Sequence, residues 1–473
     1  MTNLLLLLLL AVSCVHCLCA PLDDSGAVGS SDALLSSDLS LATLLQHHAQ
    51  VGDNVRNWPN KQKQATAATQ ADGTASDAPA VVGPSAKPAP SPFTLGFVTP
   101  WNSKGYDVAK NFARKFTHVS PVWYTVKLRQ RTRRPADGGK AKITYSVDIE
   151  GKHNVDAKWI ADVQEAGSDP AQKLRTGVLP RFLVEPESAE LYLKLAAKEG
   201  LQRTLIRQLA EEIARTDVDG MVLEMTDAWA VVSTRAKDPK LRNGLNTFLM
   251  RLAEHLHLKM KNDQDDSAAG GTGRPRQLFL VVRPMHPNSP YFQNFDFEQT
   301  HKFIDAYALM TYDHPNPPTS AAAASTYGGV DENDSELPLL GGPNAPLEWV
   351  RDSVLALLGS KDRSPARARK VLLGLPFYGY RYGLSSGQPE AITGRGLIDA
   401  LEEAEPTDAQ LHYHHDWSEH SVSLRQPGLG RAERIFYPTP YFLQRRLELA
   451  QELGVGLAVW ELGQGLDCFL DLF

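Results

Sequence analysis

Cysteine is scarce in this chain and is concentrated at one end. Four residues in 473 are cysteine, and three of them, Cys14, Cys17 and Cys19, precede residue 20. Met1 to Ala20 carries an apolar block followed by small residues, which is typical of a secretory signal peptide although no Lys or Arg precedes the block. Cleavage near Cys17 or Ala20 would leave Cys468 alone in the mature fold, which excludes an internal disulfide framework. We therefore expect a secreted or lysosomal protein that is stabilised by its core.

Dense basic blocks and later long apolar runs are also lacking. The formal net charge is -6, which argues against nucleic acid as a partner. No stretch after the signal segment is long and apolar enough to span a bilayer, so the mature chain is predicted to be soluble. We interpret the short basic segments Lys127 to Arg134 and Lys361 to Lys370 as solvated faces.

Large apolar residues are almost absent from Ala65 to Pro92, within a longer segment from Pro21 to about Pro92 where Ala, Ser, Asp, Gln and Pro dominate. Such a segment buries too little surface to offset its ordering entropy, so it is predicted to be a disordered pro-region. The folded domain is expected to run from residue 93 to residue 473.

Motifs for cofactors are missing as well. His412, His414, His415 and His420 cluster without a zinc-ligand spacing and without a cysteine. Gly270 to Gly273 lacks the preceding strand and following helix of a phosphate-binding loop. We therefore predict no metal and no cofactor.

The pattern that is present is a strand followed by a helix, repeated along the folded domain. Amphipathic segments such as Leu201 to Arg215 and Leu241 to Lys261 separate the apolar runs. Eight such strands predict a (β/α)8 TIM barrel, with a small α+β insertion at about 381–440 after the seventh strand. The predicted strands are Thr94 to Thr99, Phe116 to Trp123, Gly177 to Val184, Val218 to Glu224, Gln277 to Arg283, Ile304 to Thr311, Lys370 to Tyr378 and Gly456 to Trp460.

Aromatic and acidic residues recur where these strands end. In a TIM barrel the carboxyl ends of the strands carry the site. Aromatic rings stack on the flat apolar faces of sugars while polar groups bind the hydroxyls, so this mixture predicts a carbohydrate cleft. Its predicted members are Trp101, Trp123, Tyr124, Glu224, Met310, Tyr312, Asp313, Tyr378, Trp460 and Glu461. A glycosylation sequon at Asn333 suits a surface loop of a secreted protein.

Glu224 is the one carboxylate on an otherwise apolar strand. Alternation places Val222, Glu224 and Thr226 on one face. Because an ionised carboxylate is costly to bury alone, Glu224 is either paired with an Arg or Tyr, protonated, or open to a cavity.

Taken together, the blocks Thr94 to Trp123, Val218 to Asp227, Leu309 to Asp313, Lys370 to Tyr380 and Val459 to Asp467 resemble glycoside hydrolase family 18. Active members carry Asp-Gly-x-Asp-x-Asp-x-Glu on the fourth strand, and their substrate's N-acetyl group assists the reaction. By that resemblance Val222 and Glu224 occupy the two Asp positions and Thr226 replaces the catalytic Glu. The resemblance also implies that Tyr312, Asp313 and Trp460 hold the sugar.

Three hypotheses follow. The first is a chitinase-like lectin that binds chitooligosaccharide or lipopolysaccharide without efficient hydrolysis, because a threonine hydroxyl is too weak an acid. The second is a weakly active glycosidase that uses Glu224 or Asp227 as its acid. The third, implied by a narrower resemblance to chitinase-like proteins of this family, is a scaffold recognised by a sorting receptor of the stabilin type.

Overall fold

The computed structural model describes residues 93–133, 141–169, 175–263, 276–285, 289–315, 341–360, 363–383, 389–404, 408–426 and 431–473. The predicted signal peptide, the predicted pro-region, Gly270 to Gly273 and the sequon at Asn333 lie outside the described residues.

Strands form two separate sheets. They are β1 (Thr94–Val98), β2 (His118–Pro121), β3 (Tyr124–Arg133), β4 (Lys142–Glu150), β5 (Gly177–Val178), β6 (Arg181–Pro186), β7 (Gly220–Glu224), β8 (Gln277–Val282), β9 (Ala306–Leu309), β10 (Val371–Pro376), β11 (Gly379–Gly383), β12 (Glu390–Ile392), β13 (Ala409–His414), β14 (Glu419–Gln426), β15 (Arg431–Phe436) and β16 (Gly456–Trp460). The larger sheet has the order β4-β3-β6-β7-β8-β9-β10-β16-β1-β2-β5.

This order is that of a TIM barrel whose second and third strands are interrupted. The second strand consists of β2 and β3, and the third of β5 and β6. The first half of the second strand, β2, pairs with β1, and the first half of the third strand, β5, pairs with β2. The second halves pair with each other as β3-β6, and β6 pairs with β7. Leu179 and Pro180 separate the halves of the third strand, because proline has no N–H to donate to a ladder. The Pro180 carbonyl still accepts from the Val222 N–H at 3.0 Å, which joins this strand to its neighbour.

Helices cover the outside of the barrel, except that the tenth of them belongs to the insertion. They are α1 (Ser103–Asn111), α2 (Ala157–Ala166), α3 (Glu190–Ala197), α4 (Glu199–Thr216), α5 (Thr226–Val231), α6 (Pro239–Asp263), α7 (Asn294–Thr300), α8 (Leu347–Leu358), α9 (Pro365–Ala368), α10 (Gly394–Glu403) and α11 (Pro440–Leu453). The five helices with long amphipathic patterns, α3, α4, α6, α8 and α11, were predictable. Other helices such as α2 carry only a local signal, here an Asp156 cap that accepts from the Trp159 N–H at 2.9 Å.

Alternation along the strands divides the apolar side chains into two layers. One set fills the barrel interior and includes Phe97, Val222, Phe279, Val281 and Ala458. The larger set lies between the barrel and the helices. This division decides which strand-end residues face the central cavity.

The predicted insertion after the seventh strand is confirmed. β11 begins at Gly379, directly after β10, and an antiparallel sheet of order β12-β11-β15-β14-β13 with α10 extends to Phe436. Cys468 is a buried, free cysteine. Among the described residues, no helix is long and apolar enough to cross a membrane.

Candidate functional site

A cavity of about 240 Å³ lies at the carboxyl ends of the barrel strands. Pockets for drug-sized ligands measure about 300–1,000 Å³, so this cavity is somewhat smaller than a typical one. Its wall is apolar except for Arg181, Glu224 and the Tyr312 hydroxyl. The lining residues are Phe97, Arg181, Glu224, Val281, Ala308, Leu309, Met310, Tyr312, Ala458 and Trp460.

Glu224 is paired with an arginine from the neighbouring strand. Arg181 Nη1 lies 3.1 Å from Glu224 Oε2, and the two side chains are 14% and 17% exposed. The Arg181 guanidinium also lies over the Trp460 ring, 5.9 Å from its centre. Of the alternatives for a buried carboxylate, the structure therefore shows a Glu held by an Arg, and the pair also faces a cavity.

Arg181 was missed by the sequence reasoning. It opens β6 and lies in register with Val222 on β7, so both side chains point into the barrel. A cation inside an apolar strand next to a strand with a lone carboxylate is the signal that could have identified it.

The fourth strand ends at Glu224, as predicted, and Thr226 lies beyond that end. β7 stops at Glu224 and α5 begins at Thr226, so the alternation that was to place Thr226 beside Glu224 stops before that residue. Thr226 is buried outside the cavity lining, where its Oγ1 accepts from Arg283 Nε at 3.4 Å. Asp227 is 60% exposed and lies 3.5 Å from Arg283 Nη2. The shared face predicted for Thr226 is therefore wrong.

Asp313 holds the rim of the cavity together. Tyr378 and Tyr380 both donate to its Oδ1, the latter at 2.6 Å. The Asp313 N–H donates to Asn344 Oδ1 at 2.8 Å, and φ at Asp313 is 57°. Burial, followed by the nearby Asp313 carboxylate, raises the pKa of Tyr378. Burial and the hydrogen bond to Asp313 likewise raise the pKa of Tyr380, so both phenols stay protonated donors.

Tyr312 and Met310 precede this rim and both line the cavity. Tyr312 is 6% exposed. Burial, with smaller effects of Asp313 and Glu224, raises the pKa of its hydroxyl. The hydroxyl is therefore a hydrogen-bond donor throughout the physiological pH range.

Trp460 and Glu461, which a cis peptide bond joins, have different surroundings. Trp460 lines the cavity and packs against Phe97 with ring centres 5.2 Å apart. Glu461 is fully buried outside the lining, where it accepts from Asn102 Nδ2 at 2.7 Å and from the Gly463 N–H at 3.0 Å. Burial raises the pKa of Glu461. The predicted ligand contact of Glu461 would require this network to open.

Four predicted aromatic residues are not part of the cavity lining, and one of them is Tyr378, the donor to Asp313. Trp123 and Tyr124 belong to the outer layer, at 3% and 2% exposure, where Trp123 Nε1 donates to the Tyr106 hydroxyl at 2.7 Å. Trp101 is 71% exposed on the surface. The predicted convergence of strand ends is therefore partial, since a strand end can present its aromatic ring to the helices or to solvent.

The histidine-rich segment belongs to the insertion. His414 Nε2 lies 2.8 Å from Ser421 Oγ. In the described part of the chain, no group of three or more His, Cys, Asp or Glu side chains is arranged to hold a metal ion.

The family model described as "Glycosyl hydrolases family 18" matches residues 186–465, which is more than half of the chain. The chain belongs to glycoside hydrolase family 18. This family 18 domain is similar to solved chitinase structures, among them a chitinase from Chromobacterium violaceum (16% identity, TM-score 0.56, covering 80% of this chain and 97% of the other). A class V chitinase from Nicotiana tobaccum in complex with NAG4 is also similar (13% identity, TM-score 0.52, covering 81% and 97%). At these identities the similarity of structure establishes the fold alone.

Proposed function

We propose that this family 18 barrel binds amino-sugar oligosaccharides of the chitooligosaccharide type in its cavity and does not hydrolyse them efficiently. The observation that carries the proposal is the state of Glu224. It is the sole carboxylate among the described residues that line the cavity, and it is tied to Arg181 at 3.1 Å.

The family's reaction needs a proton donor near the glycosidic oxygen. By resemblance to the family motif, Thr226 stands at the position of the acid, and a threonine hydroxyl does not release a proton usefully near neutral pH. By the same resemblance Glu224 stands two residues before the acid position, which on the family's extended motif corresponds to about 6–7 Å and exceeds the roughly 3 Å reach of a general acid. Asp227 is on the surface beside Arg283. None of these groups replaces the missing acid.

The cavity does carry the kinds of side chain that bind sugars. Trp460, Met310 and Phe97 offer apolar surface for a sugar ring, while Tyr312 and the Arg181–Glu224 pair offer donors and an acceptor. The complex of the Nicotiana chitinase with NAG4 supports an oligosaccharide as the class of ligand for this fold.

Calorimetric titration of the full chain with a short chitooligosaccharide tests the proposal. Saturable binding with intact sugar is expected, and Trp460→Ala should weaken it by about tenfold or more because the main apolar contact is lost. Trp101→Ala is the matched control: this Trp is 71% exposed outside the cavity lining, so the affinity for the same chitooligosaccharide should not change.

A product assay on the same samples separates binding from catalysis. Turnover of a fluorogenic chitooligosaccharide by the wild-type chain would contradict the proposal and favour the glycosidase alternative. Absence of saturable binding, or unchanged affinity in Trp460→Ala, would also contradict it.

A further inference from the structure

The β3–β4 hairpin carries a line of cations on one face. Lys127, Arg129, Arg131 and Arg133 alternate along β3, so they share a side of the strand and follow one another at roughly 7 Å. These four residues are called the basic row. Their intervening neighbours Val126 and Leu128 are buried against the helices, so the row points away from the helix layer.

The basic row continues the face that forms the cavity. Lys127 on β3 lies in parallel register with Glu185 on β6, and Arg181 has the same parity on β6 and lines the cavity. Paired residues on neighbouring strands point to the same face. The row therefore leads outward from the cavity along the hairpin.

The two halves of the row differ in charge balance. Lys127 pairs with Glu185, and Arg129 lies 3.4 Å from Asp148 and 3.3 Å from Glu150. Arg131 and Arg133 are exposed and, within the described part of the chain, form no ion pair. The outer half of the row therefore presents two available guanidinium groups.

The chemistry of this face favours sulfate groups. A guanidinium offers a planar fork of donors that matches the oxygens of an oxyanion. Across the hairpin, Ser146 lies opposite Arg129 and Thr144 opposite Arg131, so hydroxyls accompany the cations. Single-stranded nucleic acid would require aromatic side chains on which bases stack, and this face of the hairpin carries none among its described residues.

From this geometry we infer that the basic row binds the sulfate groups of an extended sulfated polysaccharide. An extended strand with cations at even intervals suits a linear polyanion, and the face runs on toward the sugar-sized cavity. The interaction does not require the cavity to be filled, so it goes beyond the oligosaccharide binding proposed above.

Titration of the full chain with a heparin-derived oligosaccharide and with its desulfated form tests this inference. The wild-type chain should bind the sulfated form and not the desulfated form, with an affinity that falls as salt rises. The exposed double variant Arg131→Gln/Arg133→Gln should lose about tenfold or more of that affinity, because two charge-assisted contacts are removed.

The control Arg203→Gln/Arg207→Gln removes the same charge from α4, where the two side chains are 67% and 66% exposed. It should bind the sulfated form as the wild type does, and so should Trp460→Ala, whose defect is confined to chitooligosaccharide. The inference fails if the wild type does not bind, if desulfation has no effect, or if either control loses as much affinity as the double variant. It also fails if single-stranded DNA of equal charge is held as tightly. Failure of chitooligosaccharide binding alone would contradict only the proposed function.

Discussion

Two partly buried charges, from Arg181 and Glu224, lie in the lining of the cavity. Each charge compensates the other in a site that is otherwise apolar. A buried pair of this kind contributes little net stability, but removing one member leaves the other charge uncompensated. The pair therefore behaves as a unit.

Replacing Arg181 alone should be more damaging than replacing the pair. Arg181→Met is expected to lower the free energy of unfolding by about 3 kcal/mol, whereas Arg181→Met/Glu224→Leu should lie within about 1 kcal/mol of the wild type. Urea unfolding of the wild type, of Arg181→Met, of Glu224→Leu and of the double variant measures these free energies. A double variant as unstable as Arg181→Met would show that the charges do not act as a unit.

Restoring a carboxylate at position 226 should not restore hydrolysis. Arg283 Nε lies 3.4 Å from Thr226 Oγ1, so a glutamate in this place would be ion-paired and held in its ionised form. Thr226→Glu is expected to show no more turnover of a fluorogenic chitooligosaccharide than Thr226→Gln, although a working general acid contributes about 10²–10⁴-fold. A rate for Thr226→Glu clearly above that of Thr226→Gln would contradict this.

At the scale of elements, Asp313 links three parts of the chain. It follows β9, it accepts from Tyr378 after β10 and from Tyr380 on β11, and its N–H donates to Asn344. Asn344 and Ala345 in turn donate through their N–H groups to the buried Glu419 on β14, at 3.1 and 2.7 Å. The rim of the cavity is thus connected to the insertion by hydrogen bonds.

Asp313→Ala should weaken this connection. It removes the acceptor of two phenols and places alanine at a φ of 57°, which L-residues with a Cβ seldom adopt. A loss of about 2 kcal/mol in the free energy of unfolding is expected. Asp313→Asn keeps an oxygen acceptor and tolerates this φ, so it should lose clearly less. Equal stability of Asp313→Ala and the wild type, measured by urea unfolding, would contradict the structural role.

At the scale of the whole molecule, histidines with shifted pKa values make stability depend on pH. Burial lowers the pKa of His118, which packs against the rings of Phe93 and Phe279. Burial, with the nearby Arg434 cation and two further histidines, lowers the pKa of His414 to about 3. His257 behaves oppositely, because its hydrogen bond to Asp305 raises its pKa.

Acid should therefore destabilise the fold through His414. In the unfolded chain the His414 side chain takes up a proton near pH 6.5, whereas in the folded chain it does so only near pH 3. The contribution of His414 to stability is therefore fully present above about pH 6.5 and is lost as the pH drops toward about 3. The contribution of His414 at pH 5 is a loss of about 2 kcal/mol. His414→Gln keeps a hydrogen-bond partner for Ser421. The free energy of unfolding, measured with urea, should therefore fall by about 2 kcal/mol less between pH 7.5 and pH 5 in this variant than in the wild type. The same pH dependence in variant and wild type would contradict this assignment.

The sequence by itself determined the order of the eight barrel strands, the place of the insertion and the importance of a lone carboxylate at Glu224. These features follow from local hydrophobic periodicity, which depends only on residues that are close in sequence. Only the tertiary structure decided that Arg181 pairs with Glu224, because the two lie on different strands whose register is set by the closing of the barrel. It also decided which aromatic residues reach the cavity. Trp460 faces the cavity, whereas Trp123 and Tyr124 face the helices, because the break between β2 and β3 resets the alternation that a continuous strand would keep.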